Sequence, residues 1–251
     1  VVKKIDAIGI WIKLALSDLK ASKILYEQKL FRQSYFLFQQ ATEKANKAHA
    51  LKFGLAKEED LKDMGHNQFK IDRKYVATKI AGLDSLLKQT NKLPAKLDKK
   101  HKDLKQSLSA IDSLRNQNLV NLSSLEISSL YKQISSQRIP FEERNPGVKK
   151  LLQDAGEAKR GYLLALALLQ WTSDLAYIKL AISACSILTV QHSTLTRYPE
   201  NGNDPTKIYT LRLPLVKKQP LFMNLLEDAI CKMDKHSDKE ILKKLLKSKA
   251  I

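Results

Sequence analysis

The sequence predicts an all-α protein, a bundle of long helices, and three observations carry that prediction. Apolar residues recur at spacings of three and four along most of the chain, while alternating patterns are scarce. Only 8 Gly and 7 Pro occur in 251 residues, below the average usage of roughly 7% and 5%, which leaves little material for the tight turns that short strands need. A content of 43% hydrophobic and 28% charged residues is that of a chain folding around a core, not of a disordered one.

Taken in order, a first helix is expected over residues 5–28, with Trp11, Leu14, Ala15, Asp18, Ala21, Ile24 and Leu25 on one stripe. A second, over 31–53, turns Phe31, Tyr35, Phe38, Ala41, Ala45 and Ala48 inward and stops at Gly54. After a polar stretch at 56–70, a third helix covers 75–90 and is bounded by Pro94. A fourth covers 96–116, strongly basic on its outer face, and a fifth covers 122–136. The segment QRIPFEERNPG, residues 137–147, is the clearest break in the chain. A long helix over 148–191 follows, and its stretch from 162 to 190 is the most apolar of all. Gln170, Asp174 and Lys179 lie near the middle of that stretch, so it is expected as the buried central helix of a bundle and not as a membrane span. An irregular loop over 197–214, with an extended piece at 208–213, leads to two amphipathic helices over 221–233 and 238–249. No internal repeat and no low-complexity block is present.

Charge and cysteine content narrow the function classes. The formal net charge is +18. Between Lys44 and Lys105 there are 16 Lys and Arg against 8 Asp and Glu, and Lys96, Lys99, Lys100, Lys102 and Lys105 place cations on successive turns. Lys243, Lys244, Lys247 and Lys249 add a second cluster. Such a surface attracts nucleotides and nucleic acids in a salt-dependent way. Lysine outnumbers arginine and aromatic residues are not interleaved with the cations, so base stacking is poorly provided for. The basic final helix lacks a Trp or Phe anchor for a membrane surface. Cys185 and Cys231 cannot form a disulfide framework, no CxxC pair exists, and Lys13, Asp18 and Lys20 interrupt any signal-peptide order. A cytoplasmic protein without a transmembrane segment is expected.

On the second helix Gln40, Glu43, Lys44 and Lys47 share a face. The small Ala41, Ala45 and Ala48 beside them let another helix approach closely. Lys44 and Lys47 would hold a phosphate, with Glu43 orienting them; the same spacing also reads as an ion-pair face worth a few tenths of a kcal/mol per pair. His49, His66, His101, His192 and His236 form no HxxxH or HExxH pair, so neither a metal nor a cofactor is expected. His66 sits in a polar loop near one end of the bundle, and His192 ends the long helix, where a cation would complement the dipole. No Gly-rich phosphate loop, GxSxG elbow or Walker sequence occurs.

Trp11, Ala15, Asp18, Leu19 and Ala21, followed by the run SYFLFQQA at 34–41, Glu43-Lys44 and Lys47-Ala48, resemble the signature of the HEPN superfamily, helical domains found in prokaryotic nucleotidyltransferase partners, toxins and RNases. Arg197-Tyr198-Pro199 resembles the RYP element of the same domains. The resemblance implies one HEPN-like domain over 1–251, with a helical insertion at about 70–136 and a C-terminal helical extension at about 215–251. Catalytic members carry an Arg followed, after four to six residues, by a His that works as acid or base. No His here has Arg at that distance; Arg115-Asn116-Gln117 has the polar start and runs on without His. The resemblance therefore implies a non-catalytic homodimer that binds nucleotide or RNA phosphate through Glu43, Lys44, Lys47, Arg197 and Tyr198, with Arg115 and His66 as further candidates. Arg197 follows a helix C-terminus, whose carbonyls repel anions, so its guanidinium fork would have to do the binding. The alternatives are a helical interaction or regulatory partner of a nucleotidyltransferase or of a defence or toxin–antitoxin system, and a divergent ribonuclease using Arg115 with a His from elsewhere.

Overall fold

A computed structural model describes residues 6–64, 69–90, 94–116, 122–148, 150, 159–190, 192–198 and 204–235. Among these, every regular element is helical. α1 (Ala7–Glu27) and α2 (Phe31–Lys52) form an antiparallel pair, followed by the single turn α3 (Leu61–Met64). α4 (Phe69–Thr90) and α5 (Ala95–Asn116) make a hairpin that packs mainly on itself. α6 (Ser124–Ser135), the turn α7 (Phe141–Arg144), the long α8 (Lys159–Val190), the turns α9 (His192–Leu195) and α10 (Pro205–Ile208), and α11 (Pro214–Lys235) complete the order. The core lies where α1, α2, α8 and α11 meet, with α6 laid against α8 and α11.

The helix ends follow local chemistry. Asp6 caps α1 by accepting from the Gly9 amide at 3.0 Å, and Ser123 with Glu126 forms a capping box on α6. α2 stops as its sequence predicts: Gly54 has φ 64° and the Leu55 amide reaches back to the Ala50 carbonyl at 2.8 Å. α1 ends in the same motif, the Leu30 amide donating to the Leu25 carbonyl at 2.9 Å, but there the left-handed position is held by Lys29 at φ 60°. A side chain in that region costs about 1 kcal/mol. Lys29→Gly is therefore expected to raise the unfolding free energy by about 0.5–1 kcal/mol; an unchanged or lowered urea midpoint would show that Lys29 sits there without strain.

Several expectations are corrected. α1 buries Ile12, Ala15, Leu19 and Ser22, while Leu14 and Ile24 are exposed, so its inner stripe is rotated from the one that apolar content alone suggests. Ser22 is the reason: its hydroxyl donates to the Ser34 carbonyl at 2.7 Å, the Ser34 hydroxyl donates back to the Ser22 carbonyl at 2.7 Å, and Gln219 on α11 donates to the Ser34 hydroxyl at 2.8 Å. This buried hydrogen-bonded node ties α1, α2 and α11 together, with the Gln219 Oε1 left without a partner among the described residues. α4 begins six residues earlier than expected, because Phe69 and Ile71 are buried. The piece expected to be extended at 208–213 is the end of α10 and a pair of turns. α11 starts at Pro214 and runs straight through Pro220. Proline cannot donate to the carbonyl four residues back, and that carbonyl, on Val216, instead accepts from the Tyr26 hydroxyl at 3.2 Å.

The central helix is α2, not the long apolar one. Ser34, Tyr35, Phe38, Gln39, Ala41, Thr42, Ala45, Asn46 and Ala48 are all buried, which covers about half of its circumference, and Phe36, Leu37, Gln40, Lys44 and Lys47 on the other side are partly buried. Ala41, Ala45 and Ala48 thus belong to the core of this chain. α8 is buried only from Tyr177 onward; Tyr162, Leu163, Leu168 and Leu169 on its first half are each more than 40% exposed. By length and apolarity alone Gly161–Val190 is able to cross a membrane, yet half of its most apolar window is buried. Asp174 and Lys179 within it are ion-paired to Lys232, at 3.1 Å, and to Asp72. These are the features of a bundle helix. The helix expected at 238–249, with its lysine cluster, lies outside the described residues, as does the start of the long helix at 151–158.

Candidate functional site

The spacing on α2 does bring Glu43, Lys44 and Lys47 to one face, where they meet α1. Lys47 pairs with Glu43 at 2.8 Å and its ammonium stands 4.9 Å over the Trp11 ring. Lys44 pairs with Asp18. Trp11, Asp18, Glu43, Lys44 and Lys47 are therefore one inter-helix lock, in which two ammonium groups face two carboxylates. A phosphate arriving there has to displace a carboxylate already in place.

Arg197 occupies a different position. Its guanidinium lies 4.9 Å over the ring of Phe36, and its Nε is buried without a hydrogen-bond partner among the described residues. The carbonyl just ahead of it, on Thr196, is capped by Arg32 Nη1 at 2.8 Å. Tyr198 is 59% exposed. Phe36 precedes Lys44 and Lys47 by two to three turns, which is about 12–16 Å of helix, so Arg197 and the α2 lysines would hold separate anionic groups. Arg115 falls in the last turn of α5, but its side chain lies outside the described residues, as do the whole of His66 and Pro199.

One polar cluster escaped the sequence reading. His192 Nδ1 lies 2.6 Å from the Tyr209 hydroxyl, and Tyr35, packed against both rings, donates to the Leu188 carbonyl at 2.6 Å. His192 is 1% exposed, and burial lowers its pKa to about 4. The expected role of His192 as a cation on the helix dipole is thereby corrected: desolvation keeps the ring neutral. Tyr209 lies in the loop after the long helix, and no local pattern relates it to Tyr35.

The strongest positive field among the described residues belongs to the α4–α5 hairpin, which carries eleven Lys and Arg against five Asp. Part of that charge is matched: Arg73 pairs with Asp112 at 2.9 Å, Lys74 with Asp60 at 2.6 Å, and Lys102 with Asp98 at 2.8 Å. The Lys102 hydrogen bond holds the Asp98 carboxyl below its usual pKa, so this pair stays charged. At the hairpin tip Lys88, Lys96, Lys99 and Lys100 are exposed, and none has an ion-pair partner among the described residues. Lys96 sits in the first turn of α5, where the helix dipole disfavours a cation, and Lys99 and Lys100 follow in the next turn. Lys96 with Lys99 and Lys96 with Lys100 are like-charge pairs three and four residues apart, each of which costs a few tenths of a kcal/mol of helix stability. No group of three His, Cys, Asp or Glu able to hold a metal occurs among the described residues.

Neither the curated proteins nor the solved structures include a match to this chain. Residues 8–86, from the first turn of α1 into α4, match the family model of the HEPN domain, so this N-terminal region is similar to HEPN domains.

Proposed function

We propose that the chain is a non-catalytic HEPN-type binding protein that takes nucleic-acid phosphate on the lysine-rich α4–α5 hairpin. The observation that carries this reading is the group of exposed lysines at the hairpin tip, Lys88, Lys96, Lys99 and Lys100, which have no ion-pair partner among the described residues. Lysines without interleaved aromatics neutralise phosphates and do not read bases, so the binding is electrostatic and tolerant of sequence. The missing Arg-to-His spacing supports binding without cleavage. Arg197, stacked on Phe36, is a second, separate phosphate contact.

Fluorescence anisotropy of a labelled single-stranded RNA oligomer, titrated with the full chain at 50 and 200 mM salt, tests this. Affinity is expected to fall steeply with salt, by on the order of tenfold or more across that range. No binding at the lower salt overturns the reading. In the same assay Arg197→Ala is expected to weaken binding about threefold with little change in Tm; a lowered Tm with unchanged affinity assigns Arg197 to structure alone. A second reading, a docking face for a protein partner, is supported by the exposed Tyr162, Leu163, Leu168 and Leu169 on the first half of α8.

A further inference from the structure

α11 runs antiparallel along α8, and the two helices keep step almost residue for residue. Cys185 Sγ lies 3.7 Å from the Phe222 carbonyl and Lys232 pairs with Asp174 at 3.1 Å, so ten residues onward in α11 correspond to eleven back in α8. By the same count α11 ends, at Lys235, beside about residue 171 of α8. Lys52 of α2 closes that end by donating to the Met233 carbonyl and, at 3.2 Å, to the Asp234 carbonyl. α8 itself goes on for about three more turns, back to Lys159. None of its described side chains is buried along those turns, and Leu163 is 43% exposed. Counting back seven and eleven residues from Asp174 stays on the face that α11 covers and arrives at Ala167 and Leu163. The cover stops while the apolar face continues.

We infer that residues 238–249, which follow α11 and lie outside the described residues, form an amphipathic helix that continues along α8 and covers Leu163 and Ala167. Ser237-Asp238-Lys239-Glu240 has the capping-box spacing of a helix start. The joint after α11 is then His236 and Ser237, which spans at most about 7 Å and keeps the new helix beside the old one's end. On a helix Ile241, Leu242, Leu245 and Leu246 fall to one side and Lys243, Lys244 and Lys247 to the other. The apolar stripe therefore meets apolar α8 while the ammonium groups stay in water. The segment's length of about 18 Å matches α8 from residue 160 to 171. Folding back over α11 offers no such partner, because the outward residues there are Asn224, Glu227, Cys231 and Asp234. The apolar pocket beside Lys179, Ser183 and Ile187 lies on the opposite face of α8 from Asp174 and Cys185. The inference holds whether or not the hairpin binds nucleic acid.

A nitroxide on the lysine side of the segment tests this in the full chain. Cys231→Ser removes the exposed thiol, Cys185 is buried, and Lys244→Cys takes the label. Methyl NMR is expected to show Leu163 and Ala167 losing most of their signal to the paramagnet, while Leu226 and Ile230 of α11 and Ile187 of α8 keep theirs. Leu242→Asp with Leu245→Asp in the labelled chain should restore the Leu163 and Ala167 signals. The same double variant without the label should exchange the amide hydrogens of residues 162–169 about tenfold faster or more than the unaltered chain. Loss at Leu226 and Ile230 in place of Leu163 would mean that the segment folds back over α11, and loss at Ile187 that it enters the pocket; either overturns the inference. So does the absence of loss at any methyl, or loss that persists in the double variant. In a mixture of isotope-labelled chains lacking the nitroxide with unlabelled chains carrying it, the Leu163 signal should stay intact. Loss there would assign the covering helix to a second copy and overturn its placement on its own α8.

Discussion

Urea titrations at falling pH are expected to show folding stability dropping by about 5 kcal/mol between pH 6.5 and pH 4.5, with two buried imidazoles carrying the loss. Burial and the Lys179 ammonium lower the pKa of His49 to about 3, and burial lowers that of His192 to about 4. In the unfolded chain both rings return to about 6.5. Between the folded and unfolded values the unfolded state binds a proton that the folded state refuses, so stability rises with pH through that window. It is fully present above about pH 6.5 and is lost progressively as the pH falls. Each ring contributes about 1.4 kcal/mol per pH unit, so the pair removes much of the stability of an ordinary domain two units below 6.5. The exposed carboxylates of Asp60, Asp98, Glu126 and Asp204 have lowered pKa values because they accept hydrogen bonds from Lys74, Lys102, Ser123 and Thr206. Their contribution is lost in a separate, more acidic window. His192→Gln removes one of the two titrating rings; it should lower stability at pH 7, where the contact with Tyr209 is weakened, and about halve the slope between pH 6.5 and 4.5. A stability that stays flat down to pH 4.5 would mean that both rings take up protons in the folded protein without cost.

The parts of the fold that could be read from sequence are those fixed by neighbours within one helix. The α2 register follows from Tyr35, Phe38, Ala41, Ala45 and Ala48 and from Gly54 at its end, and the structure has all of these as expected. The α1 register does not follow, because its inward side includes Ser22, and a serine reads as buried only once Ser34 and Gln219 are known to meet it. Pro220 reads as a boundary by every local rule; Tyr26, 194 positions earlier, supplies the donor that makes it tolerable inside α11. The candidate site divides in the same way. Helical spacing puts Glu43, Lys44 and Lys47 on one face, but that Asp18 and Trp11 close over them is a fact of the α1–α2 pairing. The lysine run at 96–105 is visible in the sequence. Which of its members are matched is not, since Lys105 finds Asp84 across the hairpin at 3.9 Å while Lys96, Lys99 and Lys100 find no carboxylate among the described residues.

That difference between matched and unmatched lysines sets the largest expected effect on binding. Reversing the four tip charges together, Lys88, Lys96, Lys99 and Lys100 to Glu, is expected to weaken single-stranded RNA binding on the order of 100-fold at about 100 mM salt. All four side chains are exposed and none bonds to the core, so the variant should retain its helical signal and its Tm within a few degrees. Changing the same four to Gln separates charge from repulsion. If each lysine neutralises one phosphate, the slope of log affinity against log salt falls by about 0.7 per lysine on a single strand, about 3 for the set. Lys44→Gln with Lys47→Gln is the counterpart on the α2 strip. Those ammonium groups already face Asp18 and Glu43, so their loss should change RNA affinity less than about threefold while lowering the Tm, because Asp18 and the mostly buried Glu43 each lose an ammonium counter-charge. The opposite pattern, with binding intact in the tip variants and lost in the α2 double variant, would move the phosphate site from the hairpin to the α1–α2 lock, since a phosphate would then have to be competing successfully with two carboxylates for the same lysines.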